Sequence, residues 1–158
     1  MSFIVNDTLQ DQIERGEIFF SAFTNASVAE DGVIYYLITT GAAPCSVNVT
    51  FTTNATFRVD VLENPTTAVG GTSQNLYNLR RDSVNTIATT SKGALSSSTG
   101  GTLLWFQFLS NGNAPVNSPL GTAGGMILKA NEEYIYKFTN YDREGADISL
   151  SFIFREVA

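Results

Sequence analysis

Residues 126–154 alternate apolar and polar side chains in short runs broken by turn residues, and little besides an antiparallel β fold accommodates that pattern. Successive side chains of a strand point to opposite faces, so Tyr134, Tyr136 and Phe138 share one face. Ile148, Leu150, Phe152 and Phe154 share a face in the run that follows. Segments 126–140 and 147–154 thus read as two strands, with Asp142-Arg143-Glu144-Gly145 as a hairpin turn between them. The same period recurs upstream. Val47, Val49 and Phe51 alternate with Asn48, Thr50 and Thr52, and Phe57, Val59 and Val61 alternate with Arg58 and Asp60. The brief Asn54-Ala55 connection predicts a hairpin between these two runs.

Segments 17–24, 33–40 and 102–109 complete the strong strand candidates, and 85–90 is a weaker one. Segments 25–32, 64–72, 96–101 and 110–125 are rich in Gly, Pro, Asn and Ser and read as turns or loops. The long stretch 110–125 reads as a functional loop or one that wraps a partner. About eight or nine strands with no long helix predict an all-β fold, an antiparallel β-sandwich with jelly-roll-like order. The expected organisation is a short N-terminal arm over 1–16 and a single β-sandwich domain over 17–158. In the arm, Val5, Leu9 and Ile13 sit at helical spacing, with Asp7 or Thr8 as the cap.

At 158 residues the chain is the size of one domain, which buries roughly 70% of its unfolded surface without needing staples. Charged residues make up 15%, below the usual ~25%, and Ser, Thr, Asn and Gly fill the gap. The net charge of −6 disfavours nucleic acid, since a phosphate binder needs clustered Lys and Arg and the one adjacent basic pair is Arg80-Arg81. No run approaches the ~20 apolar residues that span a bilayer, so no membrane partner is expected. The first residues carry Asp7, Asp11 and Glu14 with no secretory pattern, which reads as synthesis in a cytoplasm. The sequons at Asn6, Asn25, Asn48 and Asn54 then follow from an Asn/Thr-rich composition.

Chemistry is sparse. A chain with no histidine and one cysteine, Cys45, forms no intrachain disulfide and offers no His-based acid–base catalysis or zinc site. Cys45 reads as a small, half-buried residue. Ser91-Lys92 reads as a solvated loop pair. The carboxylates at Glu30-Asp31, Glu132-Glu133 and Asp142, Glu144 and Asp147 lack the spacing of a calcium loop. No catalytic residue, cofactor or metal is expected.

The run Leu103-Leu104-Trp105-Phe106-Gln107-Phe108-Leu109 is apolar on both faces. Leu104, Phe106 and Phe108 take one face, and Leu103, Trp105 and Leu109 the other. A sandwich buries one face of each sheet. Trp105 therefore packs in an unusually covered core, lies at a subunit or partner interface, or serves as a sugar-stacking platform. Residues 18–23 pose the same question through Phe19 and Phe20. Phe19, Leu103, Trp105 and Leu109 are the candidate subunit-interface residues.

Several short motifs, in order and spacing, carry a family resemblance. They are Gln12-Ile13-Glu14-Arg15-Gly16-Glu17-Ile18-Phe19; Glu63-Asn64-Pro65-Thr66 with Gly71-Thr72; Tyr77-Asn78-Leu79-Arg80-Arg81-Asp82-Ser83; Gly101-Thr102-Leu103; and Ile127-Leu128-Lys129-Ala130-Asn131 with Tyr134 and Phe138-Thr139-Asn140. In these the chain resembles a family of small tailed-bacteriophage virion proteins: capsid decoration, cement or head-fibre-like proteins. It departs at the end, reading Phe154-Arg155-Glu156-Val157-Ala158 where the family often closes on an aromatic-acidic pair. The resemblance implies a homotrimer on the outer surface of the virion that clamps the major capsid protein without turnover. Val5, Leu9, Ile13, Arg80, Arg81, Asn113 and Val116 are the candidate capsid contacts. The alternative is a receptor- or carbohydrate-binding module of a tail or fibre, with Tyr35, Tyr36, Tyr77, Trp105 and Tyr141 as glycan-stacking candidates.

Overall fold

Most of the alternating runs become strands, but the short links between them do not make hairpins. A computed structural model describes residues 8–109, 116–117 and 126–157. It has one helix, α1 (Leu9–Glu14), and twelve strands: β1 (Phe19–Val28), β2 (Val33–Thr39), β3 (Cys45–Thr53), β4 (Phe57–Glu63), β5 (Thr67–Gln74), β6 (Tyr77–Asn78), β7 (Thr90–Thr99), β8 (Thr102–Leu109), β9 (Val116–Asn117), β10 (Met126–Leu128), β11 (Glu133–Asn140) and β12 (Ala146–Glu156). One sheet runs β10-β3-β12-β1-β6, with β9 also paired to β3, and the other runs β5-β7-β2-β11-β4-β8. All pairings are antiparallel. Setting aside β5, β6, β7 and β9, the sheets read β1-β12-β3-β10 and β2-β11-β4-β8, which is the jelly-roll order.

This topology overturns both expected hairpins. β3 and β4 lie in different sheets, as do β11 and β12, so the links 54–56 and 141–145 are corners that carry the chain from one sheet to the other. Polar side chains hold the corners by bonding backbone groups that no strand ladder reaches. Asn140, fully buried, donates from Nδ2 to the carbonyls of Val28 (2.9 Å), Ala29 (3.1 Å) and Glu144 (3.0 Å), and its Oδ1 accepts the Asp142 N–H at 2.9 Å. The Asp142 carboxylate accepts the Thr56 N–H at 2.8 Å, Asp147 accepts the Ser27 N–H at 2.8 Å, and Asn54 accepts the Asp147 N–H at 3.0 Å. At the other end of the sandwich the Thr40 hydroxyl donates to the Lys129 carbonyl (2.6 Å) and accepts the Glu132 N–H (3.0 Å).

The core lies between the sheets. Tyr36 stacks on Phe152 with ring centroids 4.0 Å apart, Tyr136 meets Phe152 edge-on at 5.5 Å, and Phe51 meets Phe138 edge-on at 6.3 Å. Tyr36 Oη sits 3.1 Å from both Ser21 Oγ and Ser91 Oγ, which satisfies a hydroxyl that would otherwise be buried alone. Cys45 is fully rather than half buried, and burial pushes its thiol pKa up.

The segments 64–72 and 96–101, expected as loops, are strand over most of their length, with 67–72 in β5 and 96–99 in β7, while the strand expected over 85–90 begins only at Thr90. The buried positions of β7 are Ser91, Gly93 and Leu95, so the usual apolar alternation is missing. Gly70 and Gly71 adopt left-handed φ of 75° and 88° and Ala94 adopts 52°, which bends the β5–β7 ribbon beside its register shift. The bend sends it over the outside of the second sheet. β4 and β7 flank the β2–β11 pair on opposite sides, yet after residues 64–66 the β4 chain enters β5, paired with β7. Beneath the crossing, Leu37, Leu95 and Ile135 form a second buried cluster, with Ala68, Leu62 and Tyr35 packed against it.

Candidate functional site

β8 is the outermost strand of its sheet, so one side of its backbone pairs with β4 and the other has no partner strand among the described residues. Its side chains leave an apolar strip uncovered: Leu103 is 47% exposed, Leu104 42%, Phe106 51% and Phe108 53%. Four large apolar side chains left open side by side mark a contact surface. Simple alternation would have put Leu103 with Trp105. A bulge breaks it, because Val61 pairs with Trp105 but Leu62 pairs with Leu103, which makes Leu104 the extra residue. Trp105 turns inward and packs, partly buried, against the main core. Leu109 is described only as backbone.

The strip sits over an ion pair. Arg58 and Asp60 point outward from β4, opposite Phe108 and Phe106. The Arg58 Nη2 lies 2.7 Å from Asp60 Oδ1, and its guanidinium lies 4.7 Å from the Phe106 ring centre and 5.7 Å from that of Phe108. The aromatic faces thus fix a cation already neutralised by its neighbour. Tyr141, 50% exposed, meets Phe108 edge-on at 5.5 Å and extends the patch to the 141–145 corner. Of the subunit-interface candidates on β8, Leu103 belongs to the open strip and Trp105 does not; Leu104, Phe106, Phe108, Arg58 and Asp60 join the strip without having been candidates, although the period-2 pattern of 102–109 contains the first three.

The candidate capsid contacts fall elsewhere. Thr8 caps α1 through a capping box with Asp11: Thr8 Oγ1 accepts the Asp11 N–H at 3.2 Å, and Asp11 Oδ2 accepts the Thr8 N–H at 3.0 Å. The Thr8 hydroxyl also lies 2.6 Å from Asp11 Oδ2, and this bond first, with that from the Thr8 N–H, holds the Asp11 carboxyl below its usual pKa. The helix is tethered to the Arg80 segment. Arg80 donates to the Glu14 carbonyl, Asn85 to the Arg15 carbonyl at 2.9 Å, and Asn78 to the Gly16 carbonyl at 2.8 Å. Leu9 is 54% exposed, while Ile13 is partly buried and lines a small hollow with Glu14 and Arg80. Leu9, Ile13, Arg80 and Arg81, separate in sequence, therefore belong to one region. Val5 and Asn113 lie outside the described residues, and Val116, in β9, is described only as backbone.

Arg81 is committed differently: its guanidinium lies 5.2 Å over the Tyr77 ring, which contacts the Phe20 ring at 5.9 Å. Phe19, a candidate for the subunit interface, is 6% exposed and sits in the chain's own core, so β1 offers Phe20 outward in its place. Tyr36 is fully buried and cannot stack on a sugar, whereas Tyr77 (44% exposed) and Tyr141 are open to solvent.

Among the described residues no group of His, Cys, Asp or Glu converges to hold a metal ion, and no helix is long and apolar enough to cross a membrane. The chain matches no protein-family model and none of the curated proteins. Its function is therefore argued from the surfaces above.

Proposed function

We propose that this protein is a bacteriophage capsid decoration protein: a trimer that binds the outer surface of the mature head and stabilises it by clamping capsid subunits without covalent chemistry. The observation that carries the reading is the uncovered β8 strip, four large apolar side chains on a sheet edge of the jelly roll. A protein whose work is to be held by neighbours needs such a surface. The region of α1 and Arg80, with Leu9 exposed, supplies a second surface for the shell itself. Binding only the expanded shell would stabilise that state by mass action, and repetition over a symmetric trimer would add avidity.

The test is the copy number of the protein in purified virions relative to the major capsid protein, by quantitative mass spectrometry. Comparable numbers are expected; a handful of copies would point to the tail, and complete absence would remove the protein from the virion. Deleting residues 1–16 should abolish co-sedimentation with expanded shells while leaving the circular dichroism of the domain unchanged.

One observation favours a second reading, a receptor- or carbohydrate-binding module. Tyr141 borders an open hollow lined by Asn54, Asp142, Arg143 and Glu144, an aromatic face beside amide and carboxylate groups. Reproducible glycan-array hits that vanish with Tyr141→Ala would establish it.

A further inference from the structure

Two apolar patches lie on opposite edges of the sandwich, and each joins exposed aromatic rings to an arginine. One is the β8 strip, with Phe106 and Phe108 over Arg58. The other is at β6, where Tyr77 leans on Phe20 and carries Arg81 on its face. Their opposition follows from how the sheets face each other. β1 lies across from β2 and β7: the Phe23 and Tyr36 rings meet at 6.2 Å, Ser21 Oγ sits 3.1 Å from Tyr36 Oη, and the Phe23 ring lies against Gly93. β3 lies across from β11 through Phe51 and Phe138. β6, beyond β1, is therefore at the β7 side, and β8, beyond β4, at the other.

We propose that the β8 edge of one copy docks on the β6 edge of the next, so that subunits meet head to tail around a closed ring. This rests on the self-association proposed above and names the surfaces that perform it. A two-fold contact between two β8 edges would cover one patch and leave Tyr77, Phe20 and Arg81 open, whereas a head-to-tail contact covers both. Head-to-tail contacts close into rings when the rotation permits, and a trimer has no two-fold axis on which two β8 edges could meet. Charge agrees. Arg81 has no carboxylate partner among the described residues, and the turn bordering β8 carries Asp142 and Glu144 against the single Arg143. Both strands end their sheets, so each edge also presents backbone groups that a neighbouring chain can meet. Arg81 is thereby assigned to the neighbouring subunit, and Arg80, bound to α1, is left for the shell.

The experiment uses two variants of the full chain. Phe106→Glu with Phe108→Glu disables the β8 edge, and Tyr77→Glu with Arg81→Glu disables the β6 edge. All four positions are at the surface, and circular dichroism matching the native chain, with a single cooperative melt, verifies folding. By light scattering after size exclusion, the native chain should be a trimer and each variant alone a monomer. Mixed in equal amounts at higher concentration, to offset the lost avidity of ring closure, the variants should form a one-to-one heterodimer. Each supplies the edge its partner lacks. A Tyr77/Arg81 variant that stays associated while the Phe106/Phe108 variant is monomeric would reveal a two-fold β8 contact and overturn the proposal. So would a mixture that stays monomeric, or a monomeric native chain. Shell co-sedimentation is read separately: a monomer that still binds shells rejects the ring and keeps the decoration reading, and a trimer that ignores shells does the reverse.

Discussion

The two sheets of this sandwich share a core but have opposite outer faces. Outside the first sheet, Thr24, Thr50, Thr52, Ser149 and Ser151 meet water directly, and no strand is laid over them among the described residues. Outside the second, Leu37 (6% exposed) and Ile135 (1%) are shut off by the β5–β7 ribbon, while Phe106 and Phe108, farther along the same face, are left open. The contrast separates two ways of treating an apolar outer face: cover it with an insertion of one's own chain, or leave it for another. Only the first is complete in the isolated subunit.

The strongest way to break this contrast is to truncate one side chain to alanine on each outer face. Ile135→Ala beneath the ribbon should cost about 3 kcal/mol in urea unfolding, as buried aliphatic truncations do. Ser151→Ala on the first sheet should stay within about 0.5 kcal/mol. Equal effects would mean that the ribbon does not seal the outer face. The next effect concerns the corners, which serve both sheets at once. Asn140→Ala strips three corner carbonyls of a buried donor and should cost about 2 kcal/mol, read in the same assay. Loss of less than about 0.5 kcal/mol would show that the corners hold without it.

The smallest effect is electrostatic and belongs to the end of β4. Bonds from Lys129 and Tyr134 hold the Glu63 carboxyl below its ordinary value of 4.5. The same site raises the Tyr134 hydroxyl to about 12, chiefly by burial. A carboxyl depressed in the folded state adds stability above its unfolded pKa and loses it as pH falls through the folded one. Glu63→Gln should therefore be less stable than the native chain at neutral pH, and the gap should close as the solution is acidified below about 4.5. A gap that persists unchanged to pH 2 would assign the effect to packing.

The fold class was legible because strict alternation has few physical solutions. Both corners were legible too, though they were read as hairpins. A two-residue Asn54-Ala55 loop would set Phe51 opposite Arg58, on one face, while the apolar residues beyond it are Phe57, Val59 and Val61. A turn over 142–145 would likewise set Phe138 opposite Ser149 rather than beside Ile148 and Leu150. Apolar parity that fails to match across a short link is the mark of a chain changing sheets. The ribbon left no such mark, because Ser91 and Gly93 occupy inward positions that other strands fill with Val or Phe. On β8 alternation set Leu104, Phe106 and Phe108 on one face, but the bulge at Leu104, which exposes Leu103 instead of turning it in with Trp105, is something no period-2 count anticipates. The joining of α1 to the Arg80 segment rests on bonds from Arg80, Asn78 and Asn85 to carbonyls, and composition carries no trace of those.

β12 lies between β1 and β3, in the middle of its sheet, and pairs Phe154 with Phe19 at one end of the register. β1, made early, has no main partner until β12 exists, and β3 waits for the same strand. Contacts this distant in sequence slow folding, since large loops must close before any pairing is gained. During synthesis the first sheet therefore cannot assemble until β12 has left the ribosome. Until then its apolar strands depend on the cell, not on each other, for protection.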